Sequence, residues 1–159
     1  MKITVISVGK IKEKFFKDAI DEYSKRLSKY CKLEIIEVQD EMTPDSAPDS
    51  VCAAIMNKEG ERILKKIDDD AYTIALAIEG KTYDSVGFSK AIDKLCVNGT
   101  SKIVFIIGGS LGLSREVKKR CDELISFSEM TFPHQLMRVI LLEQIYRAMR
   151  ISNNEPYHK

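Results

Sequence analysis

The 159-residue chain has no tryptophan, four prolines, four cysteines and two histidines. Each shortage excludes something. Cys31, Cys52, Cys96 and Cys121 stand singly with no Cys-x-x-Cys pair, and His134 and His158 are the only imidazoles. That inventory argues against a zinc site and a disulfide framework, and for buried free thiols in a reducing cytoplasm. Long apolar runs are also missing. The longest uncharged stretch, Ile103 to Ser114, falls well short of the roughly 18 residues that suggest a spanning helix. The apolar run Ile3 to Val8 is too short for a signal core and leads into Gly9-Lys10-Ile11-Lys12 rather than a cleavage site. A soluble, unprocessed cytoplasmic protein is expected, without membrane or metal partners.

Net charge is +1, so the whole molecule does not attract nucleic acid by bulk charge. Its distribution is uneven: Lys2 to Lys32 carries nine basic and four acidic residues, Glu34 to Asp70 four basic and eleven acidic ones. The basic end, through Lys10, Lys12, Lys14 and Lys17, either faces phosphates or is a solvated helix face.

With 44% hydrophobic residues, the chain can form one sizeable core, and residues 1–159 are expected to make a single domain. "ITVISV" reads as a strand buried on both faces. "EKFFKDAIDEYSKRLSKY" then places Phe16, Ile20, Tyr23, Leu27 and Tyr30 at helical spacing, and "KLEIIEV" returns to a strand. A polar, proline-containing turn leads to a helix over about 51–67, running through Gly60. "YTIALAI" is the next strand, "EGKTYDS" a loop, 86–96 a helix, "KIVFII" a buried strand, 114–122 a short helix and "LISF" a short strand. The final helix spans about 135–151. This alternation predicts an α/β fold, an open, mainly parallel sheet with helices on both faces. In such sheets ligands bind beyond the carboxyl ends of strands, and "IALAIEGK", "IIGGSLG" and "ISFSEMTFPH" are expected to converge there.

"FIIGGSLGLS" looks like a nucleotide loop but fits neither phosphate-binding spacing. Gly108, Gly109 and Gly112 do not sit at the first, third and sixth positions, and no lysine occurs before Lys118. The alternative is a flexible connection in which Ser114 caps a helix starting near Arg115. Gly108-x-Ser110-x-Gly112 also matches a hydrolase elbow, which needs a later acid and histidine; His134 follows, but the chain is unusually small for such an enzyme.

Pro133 leaves His134 at the start of the last helix, with Arg138 one turn on. The pair either orients and acidifies a substrate or is a capping histidine with a solvated arginine. Leu136, Val139, Ile140, Leu141, Leu142, Ile145 and Met149 surround much of that helix, so a second surface, a subunit partner, is expected to cover it. The tail "SNNEPYHK" is either frayed or, through Pro156, Tyr157 and His158, suited to hold a nucleobase.

"LAIEGK", "FIIGGSLGLS", "FSEMTFPHQLMRVILLEQIYRA" and "NNEPYHK", in this order and after an opening "MKITVISVGK", resemble the SPOUT methyltransferases, in their smallest type. The resemblance covers essentially the whole chain. It implies an S-adenosyl-L-methionine-dependent enzyme that methylates N3 of a pseudouridine in large-subunit ribosomal RNA on the assembled ribosome. It further implies a homodimer and a C-terminal trefoil knot whose loops hold the cofactor. By matching position, Leu76, Gly108 and Phe127, Ser128, Glu129, Met130, Thr131 and Phe132 line the cofactor site, and His134, Arg138, Tyr157 and His158 lie on the substrate side. Ser110-Leu111, where relatives often carry Pro-Glu, and Glu155 before Pro156 are mild departures. The competing readings are a non-catalytic ribosome-associated binding protein of the same fold and a small serine hydrolase acting through Ser110.

Overall fold

The computed structural model describes residues 1–159. Its elements are β1 (Lys2–Val8), α1 (Lys14–Leu27), β2 (Lys32–Val38), α2 (Asp49–Leu64), β3 (Tyr72–Thr82), α3 (Ser85–Val97), β4 (Lys102–Ile107), α4 (Arg115–Arg120), β5 (Glu123–Ser126) and α5 (His134–Ser152). All pairings are parallel, in the order β2-β1-β4-β3-β5. The predicted α/β sheet is therefore present, with no antiparallel strand in it.

Successive side chains on a strand point to opposite faces, and the two cores follow that period of two. Ile3, Val5, Ile103, Phe105 and Ile107 enter one cluster, which takes in Ile20 and Leu27 of α1, Phe88 and Ile92 of α3 and Leu141, Leu142 and Ile145 of α5. Ile6, Val8, Val104 and Ile106 enter the other, with Ile63 of α2 and Val117 of α4. Strands covered on both faces explain why β1 and β4 read as unbroken apolar runs. The expected face of α1 is also observed, with Phe16 and Tyr23 packed against the first cluster, and Tyr30, which lies in the turn after the helix ends at Leu27, packs there too.

Ser114 caps α4 as expected, its hydroxyl accepting from the Val117 N–H at 3.3 Å. Asp84 does the same for α3, accepting from Gly87 at 2.6 Å. The cysteines are free, but only Cys31 is buried; Cys52 and Cys121 are half-buried and Cys96 is exposed. Burial pushes the Cys31 and Cys121 thiols up to about 11, so neither supplies much thiolate near neutral pH.

β3 departs from expectation. "EGKTYDS" reads as a loop because its glycine and polar residues are turn formers, yet Lys81 and Thr82 remain in the strand. Both Leu76 and Lys81 align with Ile125 of β5, with a register break between them, so residues 77–80 arch past that residue. At Gly80 an added Cβ would lie 2.6 Å from backbone atoms of Leu124 and Ile125. Only a residue without a side chain permits this passage, which fits the knotted C-terminal half implied by the resemblance.

Candidate active site

The carboxyl ends of β3, β4 and β5 open into a cavity of about 520 Å³. Its walls come from the three segments expected to converge: 76–79 within β3, where the strand arches past Ile125, 107–113 from the last residue of β4 onward, and residues from Ile125 of β5 through Phe132. Their convergence follows from strand order, because β3 lies between β4 and β5. Seven of the eight expected cofactor residues line it: Leu76, Gly108, Phe127, Ser128, Met130, Thr131 and Phe132. Glu129 is exposed and does not. Met56, Met137 and Lys118 also contribute, from α2, α5 and α4. No local pattern marks them, since each is brought in by helix packing.

The volume lies within the roughly 300–1,000 Å³ of small-molecule sites. At Gly108 an added Cβ would meet the Gly112 carbonyl carbon at 2.8 Å and its oxygen at 2.9 Å. The loop is thus folded tightly on itself, leaving room for a ligand to approach the backbone. Lys118, the cation on the cavity wall, is ion-paired with Glu79. A ligand that relies on shape and backbone contacts, rather than on phosphate charge, suits these walls.

His134 opens α5 and lines the same cavity. Burial, then the nearby Arg138 charge, lowers its pKa below the usual histidine value, against an opposing pull from Asp40. Near neutral pH the ring is therefore neutral. Its Nδ1 is buried without a partner. The linkage sign follows: the unfolded chain takes up the proton first, so His134 costs stability as pH falls through about 6.5 toward the lowered folded value. In urea titrations, His134→Gln should lose less stability than the wild-type chain over that window, and equal pH slopes would contradict this.

Arg138 lies elsewhere than spacing suggests. It is 1% exposed, and its Nη2 donates to the carbonyl oxygens of Val8 at 3.0 Å and Gly9 at 2.5 Å. Its Nη1 reaches Glu37 at 3.2 Å. The guanidinium thus clasps the carboxyl end of β1 to β2, behind His134, instead of projecting to solvent. Burial opposes its charge and Glu37 partly offsets that cost.

The tail folds along its own α5. Tyr157 packs edge-on against Tyr146 with centroids 5.0 Å apart, donates to Glu143 at 3.1 Å and sits 4.6 Å beneath the Arg147 guanidinium. Burial, reinforced by Glu143, pushes the Tyr157 phenol up to about 12. His158 Nδ1 lies 3.4 Å from Arg147. It lines a second cavity, of about 460 Å³, between the start of α3, β5 and α5. The two cavities share Ile125, Ser126, Phe127 and Phe132. The structure therefore brings His134 to the first, His158 to the second, and neither Arg138 nor Tyr157 to either.

Ser110 is exposed and its hydroxyl meets that of Thr43 at 3.4 Å, with no hydrogen bond to either histidine. The triad geometry a serine hydrolase needs is not assembled. No group of three or more metal-binding side chains occurs, and no helix is long and apolar enough to cross a membrane.

The chain is 63% identical to "Ribosomal RNA large subunit methyltransferase H" of Bifidobacterium adolescentis, over the full length of both proteins. It is 62% identical to "Ribosomal RNA large subunit methyltransferase H 1" of Clostridium perfringens and 58% to the protein of Clostridium kluyveri named like the first, again over both full lengths. Among solved structures, a "probable methylase family protein" from Haemophilus influenzae aligns with 99% of this chain and 70% of its own, at a TM-score of 0.52 and 13% identity, which supports the fold alone. A family model described as "Predicted SPOUT methyltransferase" matches residues 1–158, and the chain belongs to the SPOUT methyltransferase family.

Proposed function

We propose that this protein methylates N3 of a pseudouridine in large-subunit ribosomal RNA, using S-adenosyl-L-methionine and acting on the assembled ribosome as a homodimer. Full-length identity of 58–63% to enzymes named for large-subunit ribosomal RNA methylation carries the reading. The first cavity supports the cofactor assignment. Gly108 permits backbone approach, Leu76, Phe127 and Phe132 offer apolar faces to an adenine, and the paired Lys118 suits a ligand with no phosphate.

When bound, S-adenosyl-L-methionine supplies a methyl group whose bond to sulfur breaks, leaving the electron pair on sulfur, as the bond to N3 forms. The chain's own tasks are to align the reacting atoms at roughly 3 Å and to exclude water. The imide proton must leave, and His134 and His158 are the imidazoles available to receive it. Tyr157 steadies the tail that carries His158, and Arg138 holds the β1 end against which His134 packs: Gly9, whose carbonyl it binds, has the His134 ring 3.6 Å from where a Cβ would stand. Lys10, Lys12 and Lys17 are exposed and make no ion pair within the chain, so they are free to meet phosphates. Leu136, Val139 and Ile140 stay only half-buried on α5 and suit a subunit contact.

Calorimetry with S-adenosyl-L-methionine, beside methyl transfer to ribosomes from a strain lacking the modification, tests this. Wild-type protein should bind and restore the mark at one pseudouridine. Gly108→Ala, whose Cβ collides with Gly112, should weaken cofactor binding by about tenfold or more, equivalent to about 1.4 kcal/mol or more. A wild-type chain that binds ribosomes but takes no cofactor would instead be a non-catalytic ribosome-associated protein.

A further inference from the structure

The glycine loop after β4 brings Gly108 to the first cavity, and the far side of that loop rests on a buried acid. Glu59 of α2 is only 4% exposed. Its two carboxyl oxygens stand 2.9 and 3.3 Å from where a Cβ on Gly109 would lie, so the carboxyl is packed against the backbone of a cavity residue. Oε1 accepts from the Glu41 N–H at 3.1 Å, in the segment that follows β2. Oε2 is buried without a partner. A half-satisfied carboxyl in a protein interior costs stability, and an apolar side chain of the same size would avoid that cost. We propose that Glu59 is the positioning residue of the glycine loop, its carboxyl tying the segment after β2 to Gly109 and so fixing the loop in its cofactor-receiving form; this rests on the methyltransferase reading above.

The neighbours of Glu59 on α2 serve the same junction. Met56, about one turn earlier, lines the first cavity, and Arg62, about one turn later, donates to the Gln39 carbonyl at 2.8 Å and pairs with Glu41. At Gly60 an added Cβ would collide with the Ser114 hydroxyl, so the helix is pressed onto the far end of the loop as well. From the segment after β2, the Thr43 hydroxyl meets that of Ser110 at 3.4 Å. The loop closes on itself through the Gly112 N–H, which donates to the Gly109 carbonyl at 3.1 Å. Gly109 is thus where this turn meets the Glu59 carboxyl and, through it, the segment after β2.

A loop held in this way before the cofactor arrives has less conformational freedom to lose on binding, which favours affinity. Burial raises the Glu59 pKa against the pull of the Glu41 N–H, with Asp40 and the Glu41 carboxylate adding to the rise and Arg62 opposing it. The hydrogen bond to Glu41 needs an acceptor oxygen and no charge, so a glutamine amide can take its place.

The test compares Glu59→Gln, which keeps the acceptor oxygen, with Glu59→Met, which keeps the volume and removes the acceptor. Exchange of the Gly112 amide hydrogen is followed in cofactor-free protein, beside calorimetry with S-adenosyl-L-methionine and single-turnover methyl transfer at saturating cofactor. Glu59→Met should exchange that amide at least about tenfold faster than wild type. It should bind the cofactor about tenfold more weakly, while transfer at saturating cofactor stays within about threefold. Glu59→Gln should remain within about threefold of wild type in all three measurements. A Glu59→Met protein that matches wild type in exchange and affinity, even with a lower melting temperature, would overturn the proposal, because Glu59 then only stabilises the fold. So would a Glu59→Gln protein that falls as far as Glu59→Met, which assigns the effect to charge. If wild-type protein takes no cofactor, the methyltransferase reading fails, while the exchange comparison still decides whether Glu59 positions the loop.

Discussion

Gly80→Ala should destabilise the protein by at least about 4 kcal/mol, or prevent it from folding, because backbone cannot rotate away as a side chain can. The added carbon would lie 2.6 Å from Ile125 C, Ile125 N and Leu124 C. Relief requires β5 to leave β3, and that removes the pairing of Leu76, Lys81 and Thr82 with Ile125 and Ser126. The three segments lining the first cavity would then separate, so methyl transfer should disappear with the fold. Gly99→Ala is the matched control. Its φ of +86 imposes strain, but nothing lies within 4 Å of the new carbon, and the cost should stay near 1–2 kcal/mol. Urea unfolding of the two variants beside wild type checks this, and equal losses would show that the passage at Ile125 is not tight.

Arg138→Ala should cost about 3–5 kcal/mol, combining three lost charge-assisted hydrogen bonds with the cavity left by a fully buried side chain. The carbonyls of Val8 and Gly9 would lose their donor, and Glu37 its partner. In a chain of this size that shifts the midpoint of thermal unfolding by about 6–20 °C. Arg138→Lys should recover only part of the loss, since an ammonium lacks the planar fork that reaches three acceptors. A direct substrate contact would behave differently, with methyl transfer falling while thermal stability remained that of wild type. The clasp therefore makes a distinct prediction: stability falls, and methyl transfer measured well below the melting point falls far less than it would for a lost catalytic group.

Much of this was legible in the sequence. β1 and β4 were marked by β-branched runs, α1 by apolar spacing, and the start of α4 by Ser114, because each depends on contacts or periods local to the segment. The end of β3 was not, since Glu79-Gly80-Lys81-Thr82 has the composition of a turn and is held in strand geometry by β5, some forty positions away. Likewise, the helical spacing of His134 and Arg138 suggested a shared functional face. Burial separates them: Arg138 turns to carbonyls more than a hundred positions earlier in the chain, while His134 reaches the cavity.

The sequence by itself determined the alternation of strands and helices, the glycine loop unsuited to phosphate and the motif set that places the chain among SPOUT methyltransferases, because these reside in residue order and local pattern. Tertiary structure alone decided that Glu129 stays outside the first cavity, that Arg138 is a buried clasp, that Tyr157 lies on its own α5, and that a second cavity adjoins the first. Those outcomes depend on which distant segments meet at the carboxyl edge of the sheet, and packing in three dimensions settles that.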